Sequence, residues 1–148
     1  MDDRNPRAMG AFRADVARRY DAAPAKVFAA WTDATRAKAW LASGGDLVMN
    51  PVVGGLFYIG MTRPAGTYPH YGRYLRVERD RKLEFTWVSE HTRGMETVVT
   101  ISFEPAGNGT QVKIAHEGLP DAEMAEAHFE GWTGILEPLA KEVERLAA

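Results

Sequence analysis

The residues that could do chemistry are few. The chain carries four histidines, at 70, 91, 116 and 128, and no cysteine. Disulfides, thiolate nucleophiles and cysteine-based metal sites are therefore excluded. The histidines show no H-x-x-x-H pairing, so no metal site is expected. No G-x-S-x-G elbow is present. Gly54-Gly55 leads into a strand pattern, whereas phosphate cradles lead into a helix, so no cofactor is implied. What remains is single polar residues on apolar faces. His116 continues the face of Val112 and Ile114 and is expected to point inward. There it can bond a ligand oxygen or act as an acid or base near neutral pH. The commoner arrangement is satisfaction by a neighbouring backbone or hydroxyl group. His128 precedes Phe129 and is expected in solvent rather than at a cavity mouth. Arg18 lies between Val16 and Tyr20 on an apolar face and needs a carboxylate partner, from the protein or from a ligand. Tyr68-Pro69-His70-Tyr71 reads as a ring-rich loop: a lid, a dimer contact or a cover for the sheet edge.

The positioning elements follow from periodicity. Phe12 to Tyr20 reads as a strand. Asp21-Ala22-Ala23-Pro24 stops it and opens a short helix with Val27, Phe28 and Trp31 on one side. Asp33 caps a second short helix ending near Leu41. Ser43-Gly44-Gly45 is a break. Period two then takes over, with strands over 46–50, 56–62, 71–77, 82–89, 95–103 and 110–116, and a loop over 63–70. Asn108-Gly109 marks a hairpin turn. Pro120-Asp121 opens a long helix with the stripe Ala125, Phe129, Trp132, Leu136, Leu139, Val143 and Leu146. Pro138 removes the hydrogen bond to Gly134 and is expected to bend that helix, unless both residues serve close packing. A long amphipathic helix needs a partner surface, and the sheet is the one available.

The chain has 148 residues, 45% hydrophobic and 26% charged, which fits one globular domain over 12–148 behind a loose arm at 1–11. The 18 basic and 20 acidic residues give a net charge of −2 without basic clusters, so nucleic acid is not an expected partner. No apolar run reaches membrane-span length, and the polar start has no signal-peptide core. A cytoplasmic location is the expectation.

Across residues 12 to the end, the chain resembles a known family. The matching pieces are Arg18-Arg19-Tyr20-Asp21-Ala22, Ala25-Lys26-Val27-Phe28, Trp31-Thr32-Asp33, Trp40 and Gly54-Gly55-Leu56-Phe57. Further along come Gly72-Arg73-Tyr74, Leu83-Glu84-Phe85-Thr86-Trp87, Gly109-Thr110, His116-Glu117-Gly118-Leu119 and Gly131-Trp132. In this order they resemble the single-domain branch of the activator of heat-shock-protein-90 ATPase homologue-like family, within the START-like (SRPBCC) superfamily. The resemblance implies an α+β helix-grip (Bet v-like) fold. In it, a curved antiparallel sheet of about seven strands surrounds a long C-terminal helix, with two short helices after the first strand. It also implies a cavity between sheet and helix.

The inward faces give that cavity an expected lining of Trp40, Met49, Phe57, Ile59, Met61, Tyr74, Phe85, Trp87 and His116, with Phe129 and Trp132 from the helix. Residues of these types at these spacings also make plain core. Binding of an apolar or amphipathic molecule ranks first among the functions. A protein-interaction module in stress response or chaperone partnership, or a homodimer, ranks second. A polyketide cyclase-like enzyme using His116 ranks third.

Overall fold

The computed structural model describes residues 10–43 and 45–147, with side chains as far as Arg145. The arm expected at 1–11 lies almost wholly outside this range, as do Gly44 and the Leu146 side chain. The order is β1 (Phe12–Tyr20), α1 (Pro24–Thr32), α2 (Ala34–Leu41), β2 (Leu47–Met49), β3 (Leu56–Arg63), β4 (Gly66–Glu78), β5 (Lys82–Trp87), β6 (Thr97–Ala106), β7 (Gly109–Leu119) and α3 (Ala122–Ala147). A 3₁₀ turn, Glu90–Thr92, joins β5 to β6. The strands form one antiparallel sheet in the order β1-β7-β6-β5-β4-β3-β2.

The signals that start the helices act as expected. Pro24 opens α1, where its missing N–H is harmless. The Asp33 carboxylate accepts from the amides of Thr35 and Arg36 and starts α2. The Asp121 carboxylate accepts from the Met124 amide at 2.8 Å and starts α3. The turn between β6 and β7 is centred on Gly107-Asn108, one residue earlier than expected. Gly107 takes the positive φ of 62°, so glycine rather than asparagine sits where the left-handed backbone is required.

The expected loop over 63–70 is instead mostly strand. β3 and β4 form a hairpin in which Ile59 faces His70 and Met61 faces Tyr68. Pro69 is tolerated because the ladder to β5 begins only beyond it, at the Tyr71–Val88 bridge, so this part of β4 has one open edge. β4 pairs first with β3 and then with β5, with a register shift between Tyr74 and Arg76. Such an irregularity bends a strand. At Gly72 an added Cβ would lie 2.3 Å from the Phe57 ring and 2.0 Å from the Thr86 carbonyl oxygen, so only glycine fits.

One face of the sheet packs on α1 and α3 through Phe28, Trp31, Leu83, Ile101, Ile114, Leu136, Leu139 and Val143, all buried. Arg18 takes a protein partner: it donates to Glu137 at 2.7 Å, while the neighbouring Tyr20 hydroxyl donates to the Leu136 carbonyl at 2.9 Å. These bonds clamp the middle of α3 to β1. α3 continues through Pro138 as one helix.

Candidate functional site

A cleft of about 570 Å³ opens where the C-terminal end of α2, the β3–β4 hairpin and the middle of α3 meet. Trp40, Met61, Trp87 and Trp132 supply apolar wall. Polar groups come from His70 on β4, His128 on α3, and Arg63, Tyr68, His91 and Glu130 nearer the rim. The deeper half of the expected cavity is filled. Met49, Phe57, Ile59, Tyr74 and Phe85 close around a void of only about 10 Å³, at the lower limit for one water. Phe57 packs edge-on to Phe85 at 5.3 Å, and Phe85 edge-on to Tyr74 at 5.9 Å. These five expected lining residues are therefore core, whereas Trp40, Met61, Trp87 and Trp132 reach the cleft.

The helix side needs a correction. Phe129, expected on the wall, is 44% exposed and lines neither space, while His128, expected in solvent, is buried. The inward stripe at the start of α3 is Met124, His128 and Trp132. The His128 Nδ1–H donates to the Met124 carbonyl at 2.7 Å. That fixes the neutral tautomer and leaves Nε2 as an acceptor. Burial pushes the His128 pKa down.

His116 is fully buried and lies outside the cleft lining. Its partners determine its protonation. The Trp132 indole N–H, which can only donate, reaches His116 Nδ1 at 3.0 Å. Nδ1 must then be bare and the proton on Nε2. Nε2–H donates to the Thr97 hydroxyl at 2.7 Å, and that hydroxyl donates onward to the Trp87 carbonyl at 2.6 Å. Every donor in the series has one acceptor. Burial, reinforced by the charge His128 would carry, holds the His116 pKa well below its ordinary value. Trp132 and His128, with rings 6.0 and 4.7 Å away, separate His116 from the cleft. With both nitrogens occupied and no access, His116 cannot exchange a proton with a molecule there. It ties α3 to the sheet.

His70 lies on β4, within the stretch expected as a loop. It is 7% exposed, packs against Trp87 with ring centres 4.9 Å apart and planes tilted at 42°, and has no hydrogen-bond partner for Nδ1 within 3.5 Å. Burial pushes its pKa down to about 4, against the opposing pull of the Ile59 and Tyr68 backbone groups beside the ring. The Trp87 indole N–H is likewise buried without a partner. Unsatisfied buried groups are rare in folded proteins because each carries a desolvation cost. Alternation along β4 puts Tyr68, His70 and Tyr74 on the inward face. That period-two pattern was the available signal, and Pro69 masked it. Among the described residues no group of three His, Asp or Glu is placed to hold a metal. None of the helices there is long and apolar enough to cross a membrane.

Comparison with known proteins agrees with this architecture. No curated protein sequence matches the chain. Protein MLL2253 of Mesorhizobium loti is similar in structure, with a TM-score of 0.78 and 24% identity over 90% of this chain and 97% of that one. CalU16 of Micromonospora echinospora gives 0.74 and 24% over 90% and 80%. DynU16, a protein of the dynemicin biosynthetic locus, gives 0.75 and 22% over 89% of this chain and 47% of its own. At these identities the likeness establishes the helix-grip fold. The model of the family described as activator of Hsp90 ATPase homolog 1-like protein matches residues 21–144, so the chain belongs to that family within the START-like (SRPBCC) superfamily.

Proposed function

We propose that the chain is a binding domain for a small apolar or amphipathic molecule, held in the cleft between the sheet and α3. One observation carries this reading: a cleft of about 570 Å³ with three indoles in its walls and two buried neutral imidazoles, His70 and His128, among them. Ligand pockets are of this size, mostly apolar, with few polar groups to orient the occupant. The expected result in native mass spectrometry of freshly purified protein is a bound organic mass, released by denaturation. Ile135 is half-buried on α3 and lines the cleft. Ile135→Trp adds volume there and should lower occupancy about tenfold or more. A spectrum with no bound mass, together with no indole fluorescence response to apolar probes, would end this reading.

A second reading, association of two copies of this chain, is favoured by a different surface. Val48, Val52, Val53, Leu56 and Tyr71 are 52–68% exposed around the β2–β3 turn and the neighbouring outer face. Strand pairing places Val48 against Tyr58 and Tyr58 against Tyr71, so part of this surface is continuous across three strands. Contiguous exposed apolar surface of this kind marks contact sites. Sedimentation should then show a dimer that Leu56→Asp converts to monomer. A wild-type monomer at high concentration removes the reading.

A further inference from the structure

Gly131 and Gly134 sit on the wall that α3 gives the cleft, in line with Ala127 and Pro138. Glycine inside a helix weakens it, because the unfolded chain has more backbone freedom to lose. Such residues usually persist where another group packs too closely for a Cβ. That reason fails here: a Cβ built on either glycine meets nothing within 4 Å. Neither glycine has a positive φ that would require it. The space their side chains would occupy is cleft. Pro138 adds a second feature on the same face. It has no N–H, so the Gly134 carbonyl lacks its partner one turn on and remains an acceptor. On the sheet wall stand the rings of His70 and Trp87, centres 4.9 Å apart and tilted at 42°, and on α3 His128, 9% exposed, lines the same cleft with Nε2 left as an acceptor.

From these observations we infer that the cleft takes a planar aromatic molecule bearing a hydroxyl or amine donor, laid between the bare glycine face of α3 and the rings of His70 and Trp87. The inference rests on the binding reading above and specifies its ligand. A helix face without side chains admits a ring edge-to-edge with the backbone, and the facing rings supply a stacking surface. The free acceptors on α3, the Gly134 carbonyl and His128 Nε2, call for a donor on the ligand. The cleft volume suits a molecule of two or three rings.

The test uses the whole chain with naphthol and its methyl ether as probes, read by quenching of the cleft indoles. Wild type should bind naphthol about fivefold more tightly than the ether, because only naphthol offers a donor. Gly134→Ala should raise Tm by roughly 2–4 °C, and Gly131→Leu should not lower it, since both restore helix propensity without a clash. Both variants should bind naphthol at least about tenfold more weakly. Greater stability with weaker binding is the signature of glycines kept for a ligand. A fall in Tm for Gly134→Ala, or unchanged naphthol affinity in both variants, overturns the inference and leaves the binding reading standing. Equal affinity for naphthol and its ether overturns the donor requirement. Failure of wild type to bind either probe, with no bound mass in the native spectrum, removes the binding reading itself.

Discussion

Trp132→Ala is expected to lower unfolding free energy by about 5 kcal/mol, enough to leave a domain of this size marginal or unfolded at room temperature. Two losses combine. Trp132 is 4% exposed, with ring centres 5.0 Å from Trp87 and 6.5 Å from Trp31, so truncation removes a large buried ring from the helix–sheet contact. Truncation of that kind typically costs about 3–5 kcal/mol. It also strips the donor from His116 Nδ1, leaving a fully buried acceptor unpaired, for about 1–3 kcal/mol more. Trp132→Phe separates the two by keeping most of the ring, and about 2 kcal/mol is expected from it. Combining it with His116→Phe should recover part of the loss, because replacing both partners of a buried hydrogen bond with apolar groups is cheaper than orphaning one. Urea unfolding of the three variants decides the matter. If Trp132→Phe unfolds within 0.5 kcal/mol of wild type, the indole–imidazole bond contributes nothing and the tie between α3 and the sheet is packing alone.

The same residue shows what the sequence could convey. Trp132 falls on the inward stripe of α3 in any helical register, and its burial was legible. What lay one turn before it was not. Spacings of four and three lead from Trp132 back to Phe129 and Ala125, whereas two spacings of four lead back to His128 and Met124. Hydrophobicity favours the first path, and the structure takes the second. The choice is settled by His116, across the interface, whose ring accepts from Trp132 and packs edge-on to His128 at 4.7 Å. A contact between residues of two elements leaves no trace in the periodicity of either. Strand faces and the helix starts at Asp33 and Pro24 were readable because each is local, and the fold class came from the family resemblance. Pro69 misled for a related reason. Whether a strand tolerates proline depends on whether its neighbour has begun to pair, and that is a property of the sheet. The division of the interior into filled core and open cleft was out of reach for the same cause. Phe57 and Met61 share one face of one strand, yet Phe57 meets Phe85 while Met61 reaches the cleft.

The buried imidazoles make the domain acid-sensitive in a way that can be separated from ordinary acid unfolding. His70 binds its proton in the unfolded chain near pH 6.5 but in the folded one only near pH 4, because burial disfavours the cation. Its folded pKa is the lower of the two, so the unfolded state holds more protons between those values. Stability is then complete above pH 6.5 and is lost as pH falls toward 4. At about 1.36 kcal/mol per unit the loss from His70 approaches 3 kcal/mol, most of it by pH 4.5. His116 and His128 act in the same direction. The charged groups around His70 deepen the effect: His91 and His128 would each repel an imidazolium there, and Arg63 lies on the same rim. Glu130, also on the rim, is the one carboxylate lining the cleft among the described residues and acts in the opposite sense. Elsewhere, Asp15 beside Arg13, Asp121 capping α3 and Glu137 beside Arg18 have lowered pKa values and also lose stabilisation in acid. Their contribution cancels in a comparison of variants. His70→Phe keeps a ring against Trp87 and cannot titrate. Between pH 7.5 and 4.5 wild type should lose about 2.5 kcal/mol more than this variant, so the two stability curves converge or cross in acid. Parallel curves across that interval would mean that His70 gains a partner or reaches water when protonated. The imidazole would then be no part of what holds the cleft wall in place.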